Sequence, residues 1–260
     1  MSRSRGPGML AAGGEGLMTT APTPLDSGQR ARHGHRFALV GTLALVVVGM
    51  TIAIALAIAS NSSTSSNSVQ GSGVQVAESR AVPAFGSVDL AGSNNVFIRV
   101  GDEQSVQVYG DDNLIDRVTT DVDADTLVIG SKPGSYSTKS PMRVEVSVPS
   151  LRDLTLSGSG NVLVSGVDGR RFTVTISGSG AVRASGTTEQ LVVTVSGSGQ
   201  AELGGVEASI VHAVVSGSGE IVVTATASLD ASVPGSGSIM YGGNPNDVTK
   251  SVTGSGEIIP

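Results

Sequence analysis

Beyond its first 36 residues the chain carries one histidine, His212, and it has no cysteine anywhere. Thiol nucleophiles, thiolate metal sites, disulfides and lipid-carrying cysteines are therefore excluded together. A Ser-His-Asp relay would have to be built on His212, but its parity opposes that of Val211 and Ala213. It therefore points out of a strand, and no G-x-S-x-G elbow is present. Asp111, Asp112, Asp116, Asp121, Asp123 and Asp125 crowd into 15 positions and offer the hard oxygen donors that Ca²⁺ takes. Their spacing fits neither the twelve-residue calcium loop nor the calcium-solenoid repeat, and they read as solvated loop carboxylates. Whether the cluster takes calcium stays open at this level. Paired acids on a rigid scaffold would suggest glycoside hydrolysis, yet Glu189, Glu202, Glu207 and Glu220 share no register in the sequence. The S-G-S-G motifs lack the lysine of a phosphate loop, and their repetition marks them as architecture. No residue is assigned a catalytic, cofactor-binding or metal-binding role, and the chain reads as a non-enzyme.

The elements around these residues begin with an asymmetric charge distribution. Arg3, Arg5, Arg30, Arg32 and Arg36 stand against Glu15 and Asp26, five against two, so residues 1–36 form a basic tail that reads as disordered and cytoplasmic. The other 224 residues carry 11 basic and 20 acidic groups, which repel nucleic-acid phosphates; nucleic-acid binding is discounted. Residues 37–59, FALVGTLALVVVGMTIAIALAIA, run without a charge and are long enough as a helix to cross a bilayer. The arginines precede this span and the next basic residue is Arg80, which predicts a single-pass cell-membrane anchor with the N-terminus cytoplasmic and the C-terminal region extracytoplasmic. Ala57-Ile58-Ala59 before Ser60 also resembles a cleavage site, but the apolar run exceeds that of ordinary signal peptides and favours an uncleaved signal anchor. Residues 60–79 open with a serine-rich stretch and read as a flexible linker.

From residue 80 to 260 the pattern is all-β. S-G-S-G begins at Ser157, Ser177, Ser196 and Ser216, then continues as P-G-S-G from Pro234 and T-G-S-G from Thr253, at spacings of 20, 19, 20, 18 and 19. A fixed period near 19 predicts a β-helix or solenoid of about six rungs, each too small to bury its own apolar face. Apolar residues alternate before each motif (Leu154 and Leu156; Val174 and Ile176; Val193 and Val195) and resume after it with unchanged parity (Val162 and Val164; Val182 and Ala184). Gly158 and Gly160 then fall on the inward set while Ser157 and Ser159 point outward, so a ladder of serines lines one edge. The glycines serve either a close approach of backbones or a positive φ at a bend. Earlier strands are expected at Ser87–Leu90, Val96–Val100, Ser105–Tyr109, Val118–Asp121, Thr126–Ile129 and Val144–Val148, with Glu257–Ile259 last before Pro260.

The repeats SGSGNV, SGSGAV, SGSGQA and SGSGEI, the opening Phe85–Leu90 and the segment GDDNLIDRVTTDVDADTLVI resemble the head GIN domain family, described as autotransporter adhesins, over about residues 80–257. The resemblance implies a β-helical bacterial cell-surface domain and carries over no catalytic residue. No translocator barrel follows from this sequence, so the autotransporter route is not expected. The reading is a non-catalytic adhesion or scaffold module whose partners are the bilayer, through residues 37–59, and an unnamed cell-surface, wall-polymer or protein ligand. A homo-oligomer through an exposed solenoid end is also conceivable. The alternatives are an envelope-stress or signalling accessory acting through the tail, and a carbohydrate-active enzyme on a β-helix.

Overall fold

A computed structural model describes residues 68–101 and 103–260. The expected membrane span at 37–59 and the basic tail lie outside the described residues. No helix among the described residues is long and apolar enough to cross a membrane. Apart from one 3₁₀ turn at Ile115–Arg117, the regular structure there is strand.

The chain winds into a parallel β-solenoid of about five turns, with two stacks of strands facing each other across one core. The first stack runs from Arg143–Val148 through Asn95–Val100 and the leading halves of Asn161–Ile176, Ala181–Val195, Gln200–Val215 and Glu220–Val233, ending at Ser238–Gly243 and Glu257–Ile259. The second runs from Thr126–Ser131 through Ser87–Leu90, Asp153–Leu156 and the trailing halves of the same four long strands to Asp247–Val252. Alternation puts Val162, Val164, Phe172, Val174 and Ile176 inward in one turn and Val182, Leu191, Val193 and Val195 in the next, all buried. One face of a single rung cannot exclude water alone, so each turn is stable only against its neighbours.

The N-terminal end is closed differently. Gln75–Ser79 pairs antiparallel with Ser105–Asp111, which pairs antiparallel with Arg143–Val148, and Val118–Asp123 pairs antiparallel with Thr126–Ser131. These hairpins cap a stack that would otherwise show an open parallel edge. Folded structure also reaches into the segment read as linker: besides Gln75–Ser79, Val69–Gln70 pairs with Tyr136–Ser137. The serine-rich composition hid these strands, since only Val69, Val76 and Ala77 mark them as apolar.

Candidate binding face: the serine corner

Between the trailing strand of one turn and the leading strand of the next lies the S-G-S-G corner. Its backbone continues the ladder without interruption: the amide of Ser177 donates to the Leu156 carbonyl at 3.0 Å, Ser179 to Gly158 at 3.3 Å and Ala181 to Gly160 at 3.2 Å. The pattern recurs a turn later, where Ser218 donates to Gly197 and Glu220 to Gly199, each at 3.1 Å. Because the corner stays in register, its side-chain parity survives. Ser177 and Ser179 are exposed, Gly178 is half-buried and Gly180 is buried.

This geometry decides between the two roles open to the glycines. None of the corner glycines has a positive φ; those values occur at Gly73, Gly101, Gly134, Gly166, Gly186 and Gly243. Instead, a Cβ on Gly178 would overlap the Gly158 carbonyl oxygen, and one on Gly180 the Gly160 carbonyl oxygen and the Leu156 side chain. Close approach of successive backbones is therefore the reason for glycine at the motif. Positive φ belongs to the opposite corner, at Gly166 and Gly186.

The stack extends one rung earlier than the S-G-S-G count reveals. Ala91-Gly92-Ser93-Asn94 occupies the same corner with the same burial pattern, and a Cβ on Gly158 would strike the Gly92 carbonyl oxygen. Asn94 takes the place of the inner glycine and buries its amide, whose nitrogen donates to the Ser131 hydroxyl at 3.2 Å. The signal was present in the sequence as A-G-S-N, but 62 residues of capping hairpins and strands (95–156) separate it from the next copy.

Toward the C-terminal end the corner borders a groove of about 540 Å³, lined by Ser198, Ser218, Ser236 and Ser255 on one side and Gln200, Glu220, Ser238 and Glu257 on the other. No lysine, arginine or aromatic ring lines it. The groove presents hydroxyls repeated at the rung spacing, about 4.8 Å, flanked by carboxylates. Such a surface can donate and accept hydrogen bonds along a line, and its charge favours neutral or cationic partners.

The residues singled out for chemistry do not converge. His212 lies on the outer surface with Nδ1 3.5 Å from Asp230 Oδ2, half-exposed. Glu202 is bound bidentately by Arg183, with both contacts at 2.6 Å. Glu189 sits 3.6 Å from Arg170 and shares with Asp168 and Glu207 a shallow depression of about 530 Å³ at the opposite corner, a proximity the sequence spacing did not reveal.

The aspartate cluster is dispersed, and the solvated reading is corrected at Asp111. That residue is fully buried, and its carboxylate accepts from the amides of Gly73 at 2.9 Å, Lys139 at 2.8 Å and Ser140 at 3.2 Å. Burial pushes its pKa up, but the Lys139 amide and the Ser140 and Gly73 donors outweigh burial and hold it below the ordinary carboxylate value. Asp111 is thus a staple tying Gly73 and residues 139–140 to one strand. Asp112 accepts from the Ser72 hydroxyl, and Asp125 pairs with Arg152. Among the described residues no group of three or more carboxylates or histidines is placed to hold a metal ion.

The described residues thus form a parallel β-solenoid with a serine-edged corner. Residues 84–245 match the family described as "Putative auto-transporter adhesin, head GIN domain", and the chain belongs to that family. A crystal structure of a putative adhesin from Bacteroides fragilis NCTC 9343 is similar, with 25% identity and a TM-score of 0.63 over 74% of this chain and 99% of that one. Two from Parabacteroides distasonis ATCC 8503, a putative lipid binding protein and a putative adhesin, align over the same shares at 22% and 20% identity with TM-scores of 0.49 and 0.48. No curated protein matches the chain.

Proposed function

We propose that this protein is a membrane-anchored, extracytoplasmic binding module that acts without catalysis, using its serine corner to contact a wall polymer or the surface of a neighbouring cell. The observation that carries this reading is the outward serine column, held in register by glycines whose Cβ atoms would overlap the preceding rung's backbone. The apolar run at 37–59, the arginines before it and the membership of an adhesin-described family support the placement. His212 pairs with Asp230 on the exposed outer surface and does not line the depression that Asp168, Glu189 and Glu207 share, an arrangement that argues against a reaction centre.

The test is a binding screen of the full-length chain in mild detergent against cell-wall fractions and whole cells. It is compared with a variant in which Ser159, Ser179, Ser198 and Ser218 are changed to lysine. These serines are exposed, so the variant is expected to fold. Saturable binding that the variant loses supports the reading; no binding by the folded wild-type chain defeats it and shifts the weight to signalling through the tail.

A further inference from the structure

The outward side chains of the first stack form a column whose order is fixed by strand register. Phe97 stands beside Leu163, Leu163 beside Arg183, Arg183 beside Glu202, Glu202 beside Val222 and Val222 beside Met240. Phe97 and Leu163 are 41% and 46% exposed, a pair of large apolar side chains facing water next to each other. Glu145 precedes Phe97 and Ile259 follows Met240, so the whole column reads acidic, apolar, apolar, basic, acidic, apolar, apolar, apolar. Its six central positions, reversed, become complementary to themselves.

We propose that this face is the interface of a homodimer in which two copies pack sheet against sheet. The two-fold axis lies in the interface, parallel to the strands, between the rungs of Arg183 and Glu202. Such an axis preserves strand direction and inverts the stacking order. It sets Arg183 against Glu202 of the second copy, Leu163 against that copy's Val222 and Phe97 against its Met240, each contact occurring twice, while Glu145 and Ile259 meet at the two ends of the face. The adjoining column obeys the same symmetry. Arg143 begins it at one end and Glu257 closes it at the other, so the operation that pairs the central charges also brings these opposite charges together. Between them Asn161 meets Glu220 and Ala181 meets Gln200, with no like-charge encounter in either column.

The face spans eight strands at about 4.8 Å and some five residues at about 3.3 Å, roughly 630 Å² per copy. The total, about 1,300 Å², is at the lower end of specific interfaces, and a dimer of micromolar strength is expected. The second copy is favoured over another protein because the complementarity is internal to one column. A heterologous partner would not require it.

The test uses the full-length chain in mild detergent, with sedimentation velocity as the readout and circular dichroism as the check on folding. Arg183→Glu alone places four acidic groups at the axis, and Glu202→Arg alone places four basic ones. Each is expected to raise the dimer dissociation constant on the order of a hundredfold. An equimolar mixture of the two variants restores opposite charges across the axis and is expected to form heterodimers. Leu163→Asp, which leaves the central charges intact, is expected to dissociate the dimer as well. A wild-type chain that stays monomeric to about 100 µM, single variants that dimerise like wild type, or a mixture that stays monomeric each overturns the proposal.

Discussion

Replacing Gly180 by alanine tests the reasoning about the corner, because the added methyl has nowhere to go. Its Cβ would overlap the Gly160 carbonyl oxygen and lie 3.0 Å from the Leu156 Cδ2 atom and the Ser159 carbonyl carbon. Two of those three obstacles are backbone, so relief requires the rungs to separate. Separation lengthens the Ala181 to Gly160 hydrogen bond, now 3.2 Å, and the Ser179 to Gly158 bond, now 3.3 Å. Overpacking costs about 1–3 kcal/mol, and two weakened backbone bonds add about 1 kcal/mol each. The expected loss is roughly 3–5 kcal/mol, a large part of a typical folding free energy and about 6–20 °C in Tm for a domain of this size. Gly169→Ala is the matched control: nothing lies within 4 Å of a Cβ there and its φ is not positive. It is expected to be neutral or stabilising by about 0.5 kcal/mol. Denaturant unfolding followed by circular dichroism measures both. If the two variants differ by less than about 0.5 kcal/mol, close backbone approach is not why glycine occupies the corner.

Three further outcomes follow from particular residues. Phe172 is the largest fully buried side chain among the described residues, and Phe172→Ala is expected to cost about 3–5 kcal/mol in the same unfolding assay. Asp111 has a folded pKa below its ordinary value, so its contribution is present at neutral pH and is lost as pH falls from about 4 through the folded pKa. Asp111→Asn should therefore lower Tm at pH 7 and flatten the acid limb of a Tm-against-pH profile, and an unchanged acid limb would remove Asp111 from the account. Gly186→Ala, at a φ of +140° and against the Val167 backbone, is expected to lose stability comparably to Gly180→Ala, by strain as well as by overlap.

The solenoid could be read from the sequence because its determinants are local and repeated. The period near 19 located the corners, and unbroken parity through S-G-S-G predicted exposed serines and inward glycines. The two meanings of glycine could not be separated there, since both a positive φ and a close carbonyl oxygen select the same residue. Long-range pairing was harder to see. Asp111 looked solvated because its partners, the amides of Gly73, Lys139 and Ser140, lie 28 to 38 residues away. Asn94 hid the earliest corner for the same reason, its position being defined only by contact with Gly160 one rung on. The column from Leu163 through Arg183 and Glu202 to Met240 follows the motif spacings of 20, 19, 20 and 18, but the shared depression of Glu189 and Glu207 lies beyond the register shift at Arg183/Ser185 and cannot be counted from spacing alone.

The central claim, a serine ladder displayed outside the cell membrane, is tested most directly by thiol accessibility, because the absence of native cysteine leaves a clean background. Single variants Ser198→Cys, Val193→Cys and Ala12→Cys of the full-length chain are treated on intact cells with a membrane-impermeant maleimide. Ser198→Cys is expected to label on intact cells, Val193→Cys to stay unlabelled until the fold is denatured, and Ala12→Cys to label only after the membrane is breached. Labelling of Ser198→Cys only after lysis, or equal labelling of Ser198→Cys and Val193→Cys in the folded protein, would contradict the account.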